Sequence, residues 1–152
     1  AYLGLYIHRA TGRDTVDHFV PQARAKEEAP ALLYEWSNFR YASADVNRLK
    51  GTKPFVDPFV VQDDWFILDL ATFRVRAGIE APAVERERWD HTLAVLNEPT
   101  FCEARRWYHE RYFGRQLVGS DPTTPMPLET LQAEAPFVAR AIIQGRLRRP
   151  AQ

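Results

Sequence analysis

The segment that decides the fold lies in the first third of the chain. Its informative parts are three short runs, Val16-Asp17-His18, Trp36-Ser37-Asn38-Phe39-Arg40 and Asn47-Arg48-Leu49-Lys50-Gly51. Strand-type residues at 15–20 end at Pro21, which has no amide hydrogen for a β-ladder, so the first run is expected to lie on a strand. Ser43 is placed to cap a short helix that ends at Lys50 and Gly51. A strand, a turn and a helix therefore each contribute polar side chains.

The polar side chains of these runs suit hydrolysis of a phosphodiester. Asp17 carries a carboxylate and Asn47 an amide oxygen, and both are hard ligands of the kind that Mg²⁺ and Mn²⁺ prefer. A neutral imidazole at His18 is able to deprotonate a water molecule. In a regular strand Asp17 and His18 point to opposite faces, whereas a bend or bulge would bring both to one site.

This pattern resembles the HNH, or ββα-metal, nuclease motif, in the variant whose last position is asparagine. The matching residues are Asp17-His18, Asn38 and Asn47-x-x-Lys50-Gly51, and the similarity to bacterial HNH-like proteins of defence and mobile-element contexts covers residues 13–59. The resemblance implies that Asp17 and Asn47 bind the metal and that His18 is the general base. It implies a catalytic-site role for Asn38 as well, tying the intervening loop and orienting the His18 backbone. The candidates for nucleic-acid phosphate contacts are Arg40, Arg48, Lys50 and Lys53.

The chain departs from many HNH proteins because it lacks the cysteines of their structural zinc site. Cys102 is the single cysteine, and Ser43 and Val46 stand where the second Cys-x-x-Cys pair would be. We therefore expect Mg²⁺ or Mn²⁺ as the cofactor and no structural zinc. Side-chain packing must then hold the hairpin and helix together. The residues expected to provide it are the aromatic side chains Phe19, Trp36, Phe39 and Tyr41.

Length and composition bound the class of protein. The 152 residues are 45% hydrophobic, which is enough for a buried core. The 20 basic and 20 acidic residues balance, so any contact with nucleic acid must come from a local patch rather than from the overall charge. No apolar run approaches the roughly 20 residues of a membrane span, and no signal peptide opens the chain. We expect a cytoplasmic protein without a membrane partner.

The remainder of the chain favours an α+β fold with two parts. Residues 22–30 are expected to form a loop, residues 54–78 a small antiparallel sheet, and residues 119–127, with three prolines, the clearest loop. Helices are expected from Pro82 onward, with an interruption at Glu98-Pro99 and a new start near Pro136. The expected division is an HNH-like core with a β extension at 1–81 and a helical extension packed on it at 82–152.

The predicted function is a metal-dependent endonuclease acting on DNA, with RNA as an open second substrate and a protein subunit as an open partner. The alternative is a catalytically inactive HNH-derived binding or scaffold module in a larger defence complex, where Asp17 and His18 are structural. For Arg40 and Arg48, a solvated face or a salt bridge to Glu35 or Asp45 is the alternative to DNA contact.

A second metal site, formed by His91, His109 and Cys102, is a weaker hypothesis. Their spacing is not that of a zinc motif, and Cys102 is more typical of a small buried hydrophobe.

Overall fold

A computed structural model describes residues 2–7, 13–82, 86–115 and 124–147. The chain divides into two compact units, the first formed by residues 1–2, 7–62 and 83–95 and the second by 3–6, 63–82 and 96–152. A unit boundary falls between residues 82 and 83, one position from the predicted one. The grouping differs from chain order, because 63–82 joins the C-terminal helices and 83–95 joins the first unit.

The first unit is built on a hairpin followed by a helix. Strands β1 (Asp14–His18) and β2 (Phe39–Ser43) pair antiparallel, and helix α2 (Ala44–Lys50) follows β2 directly. The five residue pairs run in unbroken register from Asp14 opposite Ser43 to His18 opposite Phe39. A long connection between the strands holds α1 (Gln22–Glu28) and two 3₁₀ turns, Pro30–Leu33 and Trp36–Asn38. The α+β class is thus confirmed, and the elements of this region follow in the order β1, α1, two 3₁₀ turns, β2 and α2.

Helix α2 begins and ends as its sequence predicts. The Ser43 hydroxyl accepts a hydrogen bond from the Val46 amide at 3.3 Å, and Gly51 ends the helix with φ of 55°. Ser43 and Val46 are also the positions at which the HNH resemblance would place zinc-binding cysteines. Here the first is a helix cap and the second is a buried core residue, so a hydrogen bond and apolar packing join β2 to α2.

The second unit combines a short hairpin with three helices. Strands β3 (Phe66–Leu68) and β4 (Val75–Ala77) pair antiparallel. The helices are α4 (Pro99–Tyr112), α5 (Leu128–Glu134) and α6 (Pro136–Leu147). Helix α3 (Arg86–Leu96) precedes them in the chain and belongs to the first unit except for its last residue. The apolar core is drawn from β3, the β3–β4 turn, β4 and the helices: Leu68, Phe73, Val75, Phe101, Leu131, Val138 and Ile142.

A buried arginine on α4 holds the turn between β3 and β4. Arg105 is 1% exposed and donates to the backbone carbonyls of Phe73 at 2.9 Å and Leu96 at 2.5 Å. Burial lowers the pKa of this guanidinium from its ordinary value. Phe73 has a left-handed backbone, φ 59°, which is rare for a residue with a Cβ, and the bond to its carbonyl helps to keep it there.

Three sequence-based predictions of local structure need correction or restriction. Residues 22–28 form α1 rather than a loop, because Ala25 is buried completely and anchors an otherwise polar helix. Of the expected β region at 54–78, only 66–68 and 75–77 are strands, since Pro54 and Pro58 remove ladder donors earlier on. Of the predicted loop at 119–127, residues 119–123 lie outside the described part of the chain.

A search of the described helices finds none that is long and apolar enough to cross a bilayer.

Substitution of Gly78, which follows β4, tests the close approach of two chain segments in the second unit. A Cβ at Gly78 would lie 1.8 Å from the Asp64 carbonyl oxygen, whereas a Cβ at Gly145 in α6 meets nothing within 4 Å. We expect Gly78→Ala to lower the free energy of unfolding by about 1–3 kcal/mol, because backbone must move. Gly145→Ala should raise it by about 0.5–1 kcal/mol through helix propensity. Urea denaturation measures both, and equal stability of the two variants would contradict the packing described.

Candidate functional site

Asp17, the predicted metal ligand on β1, lies in the interior of the first unit. It is 3% exposed, and both of its carboxylate oxygens have partners. Oδ1 accepts a hydrogen bond from Lys50 Nζ at 3.0 Å, and Oδ2 accepts one from the Tyr2 hydroxyl. Burial, and then the bond to Asp17, raise the pKa of Tyr2 well above its usual range, so its hydroxyl keeps the proton that it donates.

Lys50, predicted as a phosphate contact, is instead the buried counter-charge of Asp17. It is 1% exposed and donates to three acceptors, which are the Asp17 carboxylate and the backbone carbonyls of His18 and Phe19, both at 3.3 Å. An ammonium group has three hydrogens to donate, so this environment satisfies it fully. In this arrangement Lys50 ties the end of β1 to the last turn of α2 and does not reach a ligand in solvent.

His18 occupies the opposite face of the hairpin from Asp17. The register of β1 and β2 is regular, so the two residues alternate in direction as an ordinary strand requires, without the bulge that would have joined them. His18 is half-buried, and its ring packs edge-to-face on Phe39 with centroids 4.9 Å apart. The structure therefore does not bring the Asp17 carboxylate and the His18 imidazole onto one face.

The contacts of the His18 ring favour one of its two tautomers. Nε2 lies 3.4 Å from the Leu33 carbonyl oxygen, which can only accept, so this contact is a hydrogen bond when Nε2 carries the hydrogen. Nδ1 lies 3.3 Å from the side-chain amide nitrogen of Gln22, which can only donate. Both contacts are long, and Gln22 is exposed. In the tautomer that suits both contacts, Nδ1 has the free lone pair and the Gln22 side chain covers it.

Asn38 ties the loop that orients His18. It is 2% exposed, and its side chain makes hydrogen bonds to the Val20 amide at 2.7 Å and to the carbonyls of Val20 at 3.2 Å and Leu32 at 3.0 Å. Its own backbone carbonyl accepts from the Phe19 amide at 2.8 Å. Leu32 directly precedes the residue whose carbonyl contacts His18, so Asn38 fixes both ends of the connection around that ring.

Arg40 forms a buried clamp rather than a surface contact. It is 3% exposed and makes a two-pronged ion pair with Asp57, at 2.9 Å and 2.7 Å, while Nη1 donates to the Ser37 and Phe39 carbonyls. Its guanidinium lies over the Phe59 ring, 3.7 Å from the centroid. Burial acts to raise the pKa of Asp57, but hydrogen bonds from Arg40 and the Phe59 amide outweigh it, and the pKa is lowered.

The remaining predicted residues of the site lie on or just after α2. Asn47 is half-buried and precedes Lys50 by three residues, so it shares the helix face that contacts Asp17. Arg48 and Lys53 are exposed and remain the candidates for phosphate contact. Asp45, a suggested partner of Arg48, forms an ion pair with Arg13 at 2.6 Å.

The residues of the weaker metal hypothesis have local partners. His91 Nε2 lies 3.1 Å from the Lys50 carbonyl at the end of α2, His109 contacts Glu110, and the Cys102 thiol approaches the Asn97 carbonyl. Within the described ranges, no three side chains of the histidine, cysteine, aspartate or glutamate type are grouped so as to hold a metal ion.

Sequence reasoning missed three parts of this site. Tyr2 lies in an apolar-rich stretch at the start of the sequence, and nothing in it pointed to Asp17. Asp57 precedes Pro58, and this Asp-Pro context gave no sign of a buried arginine. The Leu33 carbonyl is backbone, so residue identity could not reveal it.

Comparison with protein-family models, with curated proteins and with solved structures yields no match to this chain.

Removal of the Lys50 ammonium tests the buried pair. Lys50→Met leaves the Asp17 carboxylate buried without its counter-charge, and we expect the free energy of unfolding to fall by about 3–5 kcal/mol. The double variant Asp17→Asn/Lys50→Met should regain a large part of this loss. Lys53→Met, at an exposed lysine nearby in sequence, should change stability by less than about 0.5 kcal/mol. Equal urea midpoints for Lys50→Met and Lys53→Met would show that the pair is not formed.

Acid titration tests the Arg40–Asp57 clamp. A carboxyl whose pKa is lowered in the folded state contributes stability that is complete above its unfolded pKa and is lost as the pH falls through the folded one. We therefore expect the parent protein to lose this contribution as the pH falls below the unfolded pKa of an aspartate, about 3.9, while Asp57→Asn, which never had it, shows a smaller decrease there. Urea unfolding across this window provides the measurement, and parallel curves for the two proteins would contradict the clamp.

Proposed function

We propose that the chain is an HNH-type phosphodiesterase in which His18 is the general base. The observation that carries the proposal is the oriented imidazole: a backbone carbonyl at Leu33 holds Nε2–H and leaves Nδ1 as the basic atom. A base of this kind needs one nitrogen fixed by an acceptor so that the other keeps its lone pair. Asn38 supports this geometry from the position that the HNH resemblance gives to its central asparagine.

The hairpin and helix supply further support. The HNH resemblance calls for a strand ending at the Asp-His pair, a second strand, and a helix carrying the last asparagine. The chain has β1, β2 and α2 in that order, with His18 the last residue of β1 and Asn47 within α2. None of these elements depends on cysteine or zinc for its connection, since a serine cap and a buried valine join β2 to α2.

Asp17 and Asn47 offer the kind of atoms that a hard divalent cation takes, but the Asp17 carboxylate is buried, has partners on both oxygens and lies on the opposite face of the hairpin from His18. A carboxylate and an amide oxygen suit Mg²⁺ or Mn²⁺, and Asp17 Oδ1 already faces a positive group, the Lys50 ammonium. Because a divalent ion and an ammonium repel each other, an ion held by Asp17 requires Lys50 Nζ to move away from Oδ1. When bound, such an ion would neutralise charge on a phosphate oxygen and on the leaving oxygen.

The protein's own part in the proposed reaction is to remove one proton from the attacking water. His18 Nδ1 accepts the proton of the attacking water once the exposed Gln22 amide turns away from it, while Nε2–H stays on the Leu33 carbonyl. Water then attacks phosphorus in line with the leaving 3′-oxygen. DNA is the proposed substrate and RNA the alternative, with Arg48 and Lys53 as the exposed side chains that would contact phosphates.

A second candidate is a binding or scaffold module that cuts nothing, with a protein subunit as its partner. It is favoured by the closed environment of Asp17, whose oxygens are taken by Lys50 and Tyr2, and by the opposite orientations of Asp17 and His18. A related possibility is a nuclease that acts only when assembled with that partner. Calorimetric titration with Mn²⁺ separates these cases from an autonomous enzyme. An enzyme that binds the metal at this site should give a heat of binding that Asn47→Ala removes, whereas a scaffold module should give none.

Plasmid cleavage with Mg²⁺ or Mn²⁺ tests the proposed base. We expect His18→Ala to slow cleavage by about 100- to 10,000-fold, the usual contribution of a positioned base, while the far-ultraviolet circular dichroism stays that of the parent. His109→Ala, at a histidine on α4, should cut at the parent rate. If purified His18→Ala cuts as fast as the parent, His18 is not the base. If neither protein cuts DNA or binds Mn²⁺, the phosphodiesterase is refuted and the binding or scaffold module is supported.

A further inference from the structure

The segment beside His18 displays two aromatic rings to solvent. Trp36 is 86% exposed and Tyr34 is 83% exposed, and they flank Glu35 in the connection between β1 and β2. Large aromatic side chains usually bury most of their area, because each contributes a substantial hydrophobic free energy when it does. Two of them exposed within three residues is therefore a feature that core packing does not explain.

Trp36 is exposed and has an edge-to-face contact with one neighbouring ring. Its ring meets Phe39 edge-to-face, with centroids 5.6 Å apart and the planes at 87°. It begins the 3₁₀ turn that ends at Asn38, whose side chain is buried and fully bonded. A ring fixed at one edge, with its area otherwise open, is an arrangement suited to stacking, since little side-chain entropy is left to lose on binding.

The exposed ring is connected to the candidate base through one intermediate ring. Phe39 contacts His18 at 4.9 Å on one side and Trp36 at 5.6 Å on the other. Successive nucleotides of a stacked strand rise by roughly 3.4 Å. A strand with a phosphate at His18 thus reaches Trp36 within a few nucleotides.

The charges of the segment indicate which kind of nucleic acid fits. Its charged residues are Arg24 and Lys26 against the glutamates at 27, 28 and 35, and Arg24 forms an ion pair with Glu28 at 2.8 Å. This segment offers phosphates little attraction, so its contribution must come from the bases. The π-faces of bases are open only where they are unpaired and unstacked, because extrusion from a duplex costs energy.

We propose that Tyr34 and Trp36 form a base-stacking platform that selects single-stranded or locally unpaired nucleic acid at the His18 site. The proposal rests on the proposed function, which it deepens by naming the substrate class. Trp36 supplies the main stacking surface because its ring is the larger and is held by Phe39. Tyr34 supplies a second ring for the next base, and Arg48 and Lys53 remain the phosphate contacts.

Binding of labelled oligonucleotides in EDTA tests the platform without cleavage. The probes are a single strand, an abasic strand of equal length and charge, and a duplex, each followed by fluorescence anisotropy with the full chain. We expect the base-bearing strand to bind at least about 5-fold more tightly than the abasic strand or the duplex. Trp36→Ala should weaken its binding by about 5- to 150-fold, and Trp36→Phe should keep most of the affinity.

Two controls make the result specific. Trp107→Ala removes a partly exposed tryptophan of α4 and should bind as the parent does. Sedimentation of Trp36→Ala and the parent shows whether Trp36 instead joins two copies of the chain. Equal affinity for the abasic and base-bearing strands, unchanged affinity of Trp36→Ala, or a dimer lost in Trp36→Ala without any change in strand binding would each overturn the proposal.

The same proteins separate this inference from the proposed function. Strand binding that depends on Trp36, together with absence of cleavage when metal is supplied, would retain the platform and refute the phosphodiesterase. Cleavage that is lost in His18→Ala, but has the same rate and strand preference in Trp36→Ala as in the parent, would retain the phosphodiesterase and refute the platform.

Discussion

The buried ion pair between Asp17 and Lys50 is the contact on which the first unit depends. It joins the end of β1 to the end of α2 across 33 residues of chain, with the Tyr2 hydroxyl on the second carboxylate oxygen. Burying either charge alone would be costly, so the two residues stabilise the fold only as a pair. Because Lys50 also bonds the carbonyls of His18 and Phe19, the pair fixes the point at which the chain leaves the hairpin.

From that point a short series of contacts leads to the imidazole. Asn38 bonds the backbone of Val20 and Leu32, and the neighbouring Leu33 carbonyl meets His18. One buried amide side chain therefore positions a backbone acceptor that in turn favours one tautomer of a half-buried ring. This is the tautomer that a base acting through Nδ1 requires. Arg40 and Asp57 brace the same connection from the side of β2.

The sequence predicted the elements of this unit better than the environment of its charges. Ser43 and Gly51 are local signals, since a cap and a left-handed residue act on their own turn, and they marked the ends of α2 correctly. The resemblance predicted that Asn38 ties the intervening loop, and in the structure its side chain accepts a hydrogen bond from the Val20 amide and donates to the Val20 and Leu32 carbonyls. Burial of Arg40 and Lys50 could not be read from the chain, because it depends on Asp57 and Asp17, which lie 17 and 33 residues away.

The face on which His18 lies was left open by the sequence, because a bulge in β1 would have changed it. Regular pairing through five residues decides that question in favour of opposite faces. The helix at 22–28 was missed for a related reason: a single buried alanine among polar residues gives little periodic signal, and tertiary packing decides whether such a segment is helical.

The tautomer of His18 is the central claim, and nitrogen-15 correlation spectra of the imidazole rings measure it directly. The chain has four histidines, so comparison with His18→Ala assigns the signal. We predict that the neutral form of the ring carries its hydrogen on Nε2 and has an unprotonated Nδ1, and that this single tautomer is lost in Asn38→Ala. A His18 ring with its hydrogen on Nδ1, or one that exchanges freely between both forms in the parent protein, would contradict the account.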